Sequence, residues 1–337
     1  MVDLHLHLDG SLSPNEILEL ADISNVKLPT KDIFELKRLL TLNENCTSLS
    51  EYLEKFALPQ MVLQTIESIE ESVYMLIVKL AKQGLCYAEI RFAPQFHTRN
   101  GLTQKQVVLA AIKGLNKGIE QTGMQCQLIL CCMRNAGNLR ENMESVKVAK
   151  EFLGSGVCAI DLAGNEAAYP TKMFAEVFEQ AKNDNIPIII HAGEAAGAES
   201  VREALKLGAV RIGHGIHVVE DDELLKQLQT TGIILETCFT SNLQTKAVHD
   251  YKEYPILKLI ESDILVSVNT DNMMVSRTSL KKEYNLLKYH FSLSDDTLKR
   301  LALNAVTGAF VSEEKKKLLR DEINNRFVDW LIEKQNI

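Results

Sequence analysis

Eight short apolar runs, each followed by a longer segment with apolar residues at helical spacing, constrain this 337-residue chain more than any other feature. The runs cover residues 2–8, 85–92, 127–133, 157–162, 186–191, 210–214, 232–236 and 264–268. Between them, segments such as 171–184, 198–207 and 221–230 place apolar residues three and four apart, as a helix with one face on a core requires. Strands separated by helices pair in parallel, and eight such units favour a closed barrel over an open, doubly wound sheet. The expected fold is therefore α/β, a (β/α)8 TIM barrel. Residues 15–65 interrupt the alternation with Leu-rich helical faces (Ile17, Leu18 and Leu20, then Phe34, Leu36, Leu39 and Leu40), which predicts a helical insertion after strand 1. There is no Gly/Ser-rich linker, low-complexity tract or repeat, so residues 1–337 read as one domain.

Composition narrows the function classes. With 46% hydrophobic and 24% charged residues the chain has the profile of a soluble globular protein. A net charge of −8 argues against a nucleic-acid partner, which requires a concentrated basic field. Seven cysteines, an odd number without C-x-x-C pairing, read as reduced core residues and not as a disulfide framework or a thiolate metal site. No apolar run reaches the roughly 18 residues of a membrane span, and no leader precedes the first run. The expectation is a cytoplasmic protein with no membrane partner.

The placement of polar residues points to chemistry. His7, Glu89, Arg91, Asp161, His191, His214, Glu236 and Asp271 all fall at or just past the C-terminal ends of the expected strands. That face of a (β/α)8 barrel is where active sites are built. Glu89, Arg91 and Glu236 read equally well as satisfied polar residues capping loops. On the first strand, alternate side chains share a face, so His5 and His7 aim at one point while Leu4, Leu6 and Leu8 pack on the other side. Such a pair is either a half-built metal site or two histidines on an amphipathic strand. His191-Ala192-Gly193-Glu194 ends the fifth strand, Ile212-Gly213-His214-Gly215 the sixth and Asn269-Thr270-Asp271-Asn272 the eighth. Imidazole and carboxylate ligands without thiolate suit Zn2+ with one position open for water. A histidine-rich barrel mouth without metal is the competing reading.

Five ordered motifs carry a resemblance. They are His5-Leu6-His7-Leu8-Asp9-Gly10-Ser11, Asp161-Leu162-Ala163-Gly164-Asn165-Glu166, His191-Ala192-Gly193-Glu194, Arg211-Ile212-Gly213-His214-Gly215 and Ser267-Val268-Asn269-Thr270-Asp271. Over nearly its whole length the chain resembles the adenosine deaminase family of metal-dependent (β/α)8 hydrolases. The resemblance implies hydrolysis of adenosine, and of 2′-deoxyadenosine, to the inosine product and ammonia, a step of purine salvage. It implies one Zn2+ per chain on His5, His7, His191 and Asp271, whose charge lowers the pKa of an attached water. Glu194 would protonate purine N1, His214 would orient the attacking oxygen, and Asp271 would serve as both ligand and proton acceptor. His7, Asp9, Gly164 and Asn272 would face the substrate, with the Gly164 N–H meeting purine N3 and Asp9 a ribose hydroxyl. Leu53, Phe56 and Leu58 read either as an apolar lid over the ribose pocket or as helix-packing core.

One position departs from the family pattern. Many members carry a second Asp after the metal-binding one, in contact with purine N7, where this chain has Asn272. N7 is an acceptor, so an amide NH2 can donate to it directly, whereas a carboxyl must first be protonated. The family also contains enzymes for free adenine and for 5′-modified adenosines. Asp9, in a position where adenine-specific relatives resemble Glu, favours the nucleoside. The sequence shows no basic cluster near Asp9 for a 5′-phosphate. A catalytically inactive purine-binding homologue is disfavoured because the full set of site residues is present.

Overall fold

The leucines of the first strand explain how the barrel is assembled. In the computed structural model, which describes residues 1–42, 46 and 48–333, Leu4, Leu6 and Leu8 are fully buried in the main apolar core, while Asp3, His5 and His7 occupy the alternate positions. The same alternation runs through β1 (Val2–His7), β2 (Tyr87–Phe92), β3 (Gln125–Arg134) and β4 (Val157–Gly164), then β5 (Ile189–Ala192), β6 (Arg211–His214), β7 (Ile234–Thr237) and β8 (Val266–Val268). Every neighbouring pair within β1–β4 and within β5–β8 is parallel. Isolated parallel bridges join the two halves at both seams, Ile160 to Ile188 and Leu6 to Asp271. The fold is a (β/α)8 barrel of the expected class. At the second seam the His7 N–H donates to the Asp271 carbonyl (2.8 Å) and the Asp271 N–H to the His5 carbonyl (2.8 Å), which sets Asp271 beside the two histidines.

Strands β5–β8 begin one to three residues later than the apolar runs predict. Gly232, for example, adopts the left-handed conformation (φ 68°) that ends the preceding helix, so it belongs to the turn and not the strand. The insertion after β1 consists of α1 (Pro14–Ile23), α2 (Ile33–Leu40), α3 (Leu49–Leu53) and α4 (Ala57–Val62), before the crossover helix α5 (Ile66–Lys82). Ser13 caps α1 reciprocally with Glu16, and Thr65 caps α5 with Ser68, so the starts of both helices are encoded locally. The insertion is tied over the barrel mouth by the Tyr52 hydroxyl on Ser276 Oγ (2.8 Å) and the Leu42 N–H on the Val275 carbonyl (3.1 Å). Among the described residues, no helix is long and apolar enough to cross a membrane. All seven cysteines are unpaired, six of them buried and Cys86 half-buried.

The barrel interior is not uniformly apolar. A small cluster of Ile129, Cys158, Ala159 and Ile189 fills one level, and Ala93, Cys131 and Ala163 fill a higher one. Glu89, Arg91, Asp161, Arg211 and Glu236, each at most 2% exposed, are charged residues on inward-facing positions of the same barrel.

Candidate active site

Those five charges form one hydrogen-bonded layer. Arg91 donates to Asp161 Oδ2 (3.0 Å), to Glu236 Oε2 (2.8 Å) and to the Leu4 carbonyl (2.6 Å). Arg211 donates to Glu236 Oε1 (2.6 Å) and to Glu89 Oε2 (2.6 Å). The layer continues upward into the imidazoles, with Glu236 Oε2 2.9 Å from His5 Nδ1 and Asp161 Oδ2 2.9 Å from His191 Nδ1. Glu89, Arg91 and Glu236 are thus neither loop caps nor cavity residues, but the support on which the histidines stand.

This support decides which ring nitrogen is available. A carboxylate on Nδ1 keeps the proton there, so in the neutral ring Nε2 of His5 and of His191 presents a lone pair, the arrangement a metal ligand needs. Burial pushes His5 down to about 4, which keeps it neutral. Burial also works to lower His191, but the Asp161 carboxylate outweighs it and holds that ring above its ordinary value. His5 Nε2 is buried without a hydrogen-bond partner. An orphaned lone pair of this kind is costly unless a cation or donor meets it.

What surrounds that atom is a donor set. Ligand atoms of His5, His191, His214 and Asp271 lie within 4.8 Å of one another. His7 Nε2 stands at their edge, 3.3 Å from His191 Nε2 and 3.4 Å from Asp271 Oδ1. The five donors converge as the strand ends predict, and a cation fits among them because it would meet lone pairs that otherwise face each other. His214 differs from the other three imidazoles. Its Nδ1 lies 3.0 Å from the Asn242 side-chain amide and not on a carboxylate, and its Nε2 is 3.5 Å from Glu194 Oε2. With the amide donating to Nδ1, the proton sits on Nε2, where it can serve as a hydrogen-bond donor. Ser241 donates to Asp271 Oδ2 (2.5 Å), leaving Oδ1 for the donor cluster. Burial opposes ionisation of Asp271, yet the imidazoles of His5 and His7, each with Nε2 3.4 Å from Oδ1, hold its carboxyl well below the usual range.

His214 and Asp271 are both left-handed at the backbone (φ 61° and 60°). For residues other than glycine this conformation is strained by about 1–3 kcal/mol, and such strain concentrates at functional sites. Gly213 leaves space for the cluster. A Cβ there would sit 3.0 Å from His5 Cε1 and 3.3 Å from the His191 ring, so the glycine makes room for two imidazoles.

His7, Asp9, Gly164, His191, Glu194, His214, Asp271 and Asn272 all line one cavity of about 370 Å³, with His5 fully buried behind them. Glu194 is 4% exposed, and burial raises its carboxyl above the ordinary value, favouring the neutral acid. Thr245 Oγ donates to its Oε1 (3.2 Å). Burial likewise raises Asp9, to about 6, and Gln60 Nε2 approaches its Oδ2 at 3.4 Å. Leu53 and Phe56 line the cavity and also pack with Leu42, Tyr52 and Val275 in a small apolar cluster, whereas Leu58 packs on the main core.

Tyr52, Gln60, Arg99, Arg134 and Asn165 also line the cavity and were not anticipated. Asn165, next to Gly164, was within reach of the motif; the others carry no local signal. Arg134 is committed to the Tyr169 carbonyl, Thr171 Oγ1 and the His191 carbonyl, and Arg99 is exposed at the mouth.

A family model described as "Adenosine deaminase" matches residues 1–326. A Haemophilus ducreyi protein of the same description is 44% identical over 331 residues, covering 97% of this chain and 96% of its own. Adenine deaminase from Arthrobacter aurescens superposes with a TM-score of 0.87 at 27% identity, over 97% of this chain and 98% of that one. An Arabidopsis N6-mAMP deaminase superposes with a TM-score of 0.84 at 26% identity, over 96% and 97%.

Proposed function

This chain belongs to the adenosine deaminase family, and from that premise we propose that it hydrolyses adenosine, with 2′-deoxyadenosine, to the corresponding inosine and ammonia. The observation that carries the reading is the orphaned His5 Nε2 within a cluster of imidazoles and a carboxylate that shares its cavity wall with the buried acid Glu194. His5, His7, His191 and Asp271 would hold one Zn2+. A bound Zn2+ polarises water and lowers its pKa toward neutrality.

The remaining steps belong to the chain's own groups. Glu194, whose protonated form burial favours, gives its proton to purine N1, so that N1 takes up the π electron pair of its C6 bond as a C–O bond forms at C6. His214, with its proton on Nε2, donates a hydrogen bond that holds the attacking oxygen, while Asp271 accepts the proton that oxygen releases. Asp271 passes that proton to the 6-amino group, the C6–N bond breaks as the C6 hydroxyl becomes a carbonyl and its proton restores Glu194, and ammonia leaves. The Gly164 N–H meets N3, and Asp9, steadied by Gln60, accepts from a ribose hydroxyl. Of the two arginines that line the cavity, Arg134 is already bonded to protein groups, which leaves Arg99 at the mouth for a 5′-phosphate.

Adenosine converted to inosine by the purified protein, followed by ultraviolet absorbance, tests the reading. Turnover should disappear on chelation and return with Zn2+. Equal or better rates on adenine or AMP would overturn the nucleoside assignment. Asn272 turns its Oδ1 toward Gly10, where a Cβ would sit only 1.8 Å away, which supports Nδ2 as the donor to N7. Asn272→Ala should lower kcat/KM for adenosine by up to about tenfold, the equivalent of about 0.5–1.5 kcal/mol for one hydrogen bond. An unchanged kcat/KM would remove Asn272 from the substrate contacts.

A further inference from the structure

Glu166 has no part in the steps above, yet it is among the most heavily hydrogen-bonded side chains of the molecule. It leaves β4 two residues after Gly164 and is 1% exposed. Its Oε1 accepts from the Gly193 N–H (2.7 Å) and Ser200 Oγ (2.5 Å). Its Oε2 accepts from the N–H groups of Glu194 (3.0 Å), Ala195 (2.7 Å) and Ala196 (3.1 Å). Four successive amides turned inward on one point make an anion-binding nest, and here the chain fills it with its own carboxylate. The nest is the loop that carries Glu194 from β5 into the helix Ala198–Lys206.

We propose that Glu166 is a positioning residue that clamps the Gly193–Ala196 loop and thereby aims the Glu194 carboxyl at the substrate. The loop lies in the buried wall of the cavity, where amides without acceptors would drive it to rearrange. A shared carboxylate satisfies all four at once and fixes their relative orientation, since ionised acceptors make shorter and stronger hydrogen bonds than neutral ones. Thr245 holds only the far end of the Glu194 side chain, so the backbone clamp determines where that side chain begins. Ser200, which also meets Thr171 Oγ1 (2.9 Å), ties the clamp to the first turn of the following helix. A general acid must stand within hydrogen-bond reach of the atom it protonates, and a displacement of about 1 Å is enough to slow the reaction by about 10²-fold.

The inference rests on Glu194 as proton donor, and its test separates the two. Glu166→Gln keeps the shape but offers one acceptor oxygen and turns an NH2 group toward amide donors. Expected are a kcat for adenosine lowered by about 10–100-fold, KM within threefold, unchanged bound Zn2+, and faster hydrogen exchange at the amides of residues 193–196. A kcat within threefold of wild type, or loss of Zn2+, KM and kcat together, would overturn the clamp. Ser200→Ala removes one bond of five and keeps the test open should Glu166→Gln not fold. It should lower kcat about three- to tenfold at constant KM, and unchanged kcat with unchanged exchange would likewise overturn the proposal. Wild-type turnover of adenosine tests the deaminase reading alone, whereas amide exchange at residues 193–196 tests the clamp whether or not adenosine is the substrate.

Discussion

Glu194→Gln should lower kcat for adenosine by about 10²–10⁴-fold, the range that general acid catalysis contributes, with KM and bound metal little changed. The substitution is nearly isosteric. The Gln carbonyl can still accept from Thr245 Oγ1, which now donates to Oε1 at 3.2 Å. The Nε2 end would face N1, an acceptor, so the amide can still hold the substrate by a hydrogen bond. What it cannot do is release a proton as the ring takes up charge. The backbone clamp by Glu166 is untouched, because the Glu194 N–H remains. Binding and chemistry are therefore expected to separate, and a full kinetic profile with metal content measured in parallel checks this. A loss of less than tenfold would move the proton donor to another group, with His214, 3.5 Å away, the first to examine.

Arg91→Met should destabilise the fold by about 3–5 kcal/mol, the cost of leaving one side of a buried ion pair uncompensated. The two carboxylates that Arg91 bridges are those that orient His5 and His191. Loosening the partners of ligand histidines typically weakens metal affinity about 10–100-fold, so a metal titration should show the same defect as denaturant unfolding. The effect has a definite pH dependence. Burial alone would raise both carboxyls, but His191 and Arg91 outweigh it at Asp161, and Arg211 and Arg91 at Glu236, so both are held below the usual carboxylate range. The stability they contribute is thus present above that range and lost as pH falls through the depressed values. Without Arg91 the folded-state values rise, and protonation relieves the buried charge. The deficit of the variant should be largest near neutrality and shrink as pH approaches about 4, the ordinary carboxylate region. A deficit that is constant between pH 7 and pH 4 would mean that the residue acts by packing alone.

The site was legible in part. His5 and His7 were readable because a strand has period two, and His191, His214 and Asp271 because the C-terminal ends of barrel strands share one face. The eight strands and the helical insertion were readable from their periodicity, although the starts of β5–β8 were displaced by turn residues such as Gly232. Glu89, Arg91 and Glu236 were seen in the right places but without a role, since their position at strand ends looks the same whether they cap a loop or support a ligand. Leu58 carries the same apolar signal as Leu53 and Phe56 and nonetheless faces the core.

By itself, the sequence determined the barrel, the face that bears the chemistry and the residue types gathered there, because periodicity and strand ends are properties of short stretches of chain. Only the tertiary structure decided which nitrogen of each imidazole is free, which carboxylates hold them and which loop is clamped. Those are pairings across the barrel: His5 meets Glu236 from 231 residues away, Arg91 meets Glu236 from 145, and Glu166 closes on a loop 27–30 residues further along. Spacing in sequence carries no record of which strand ends become neighbours once a sheet curls shut, and hydrogen bonds within about 3 Å are fixed only by that closure.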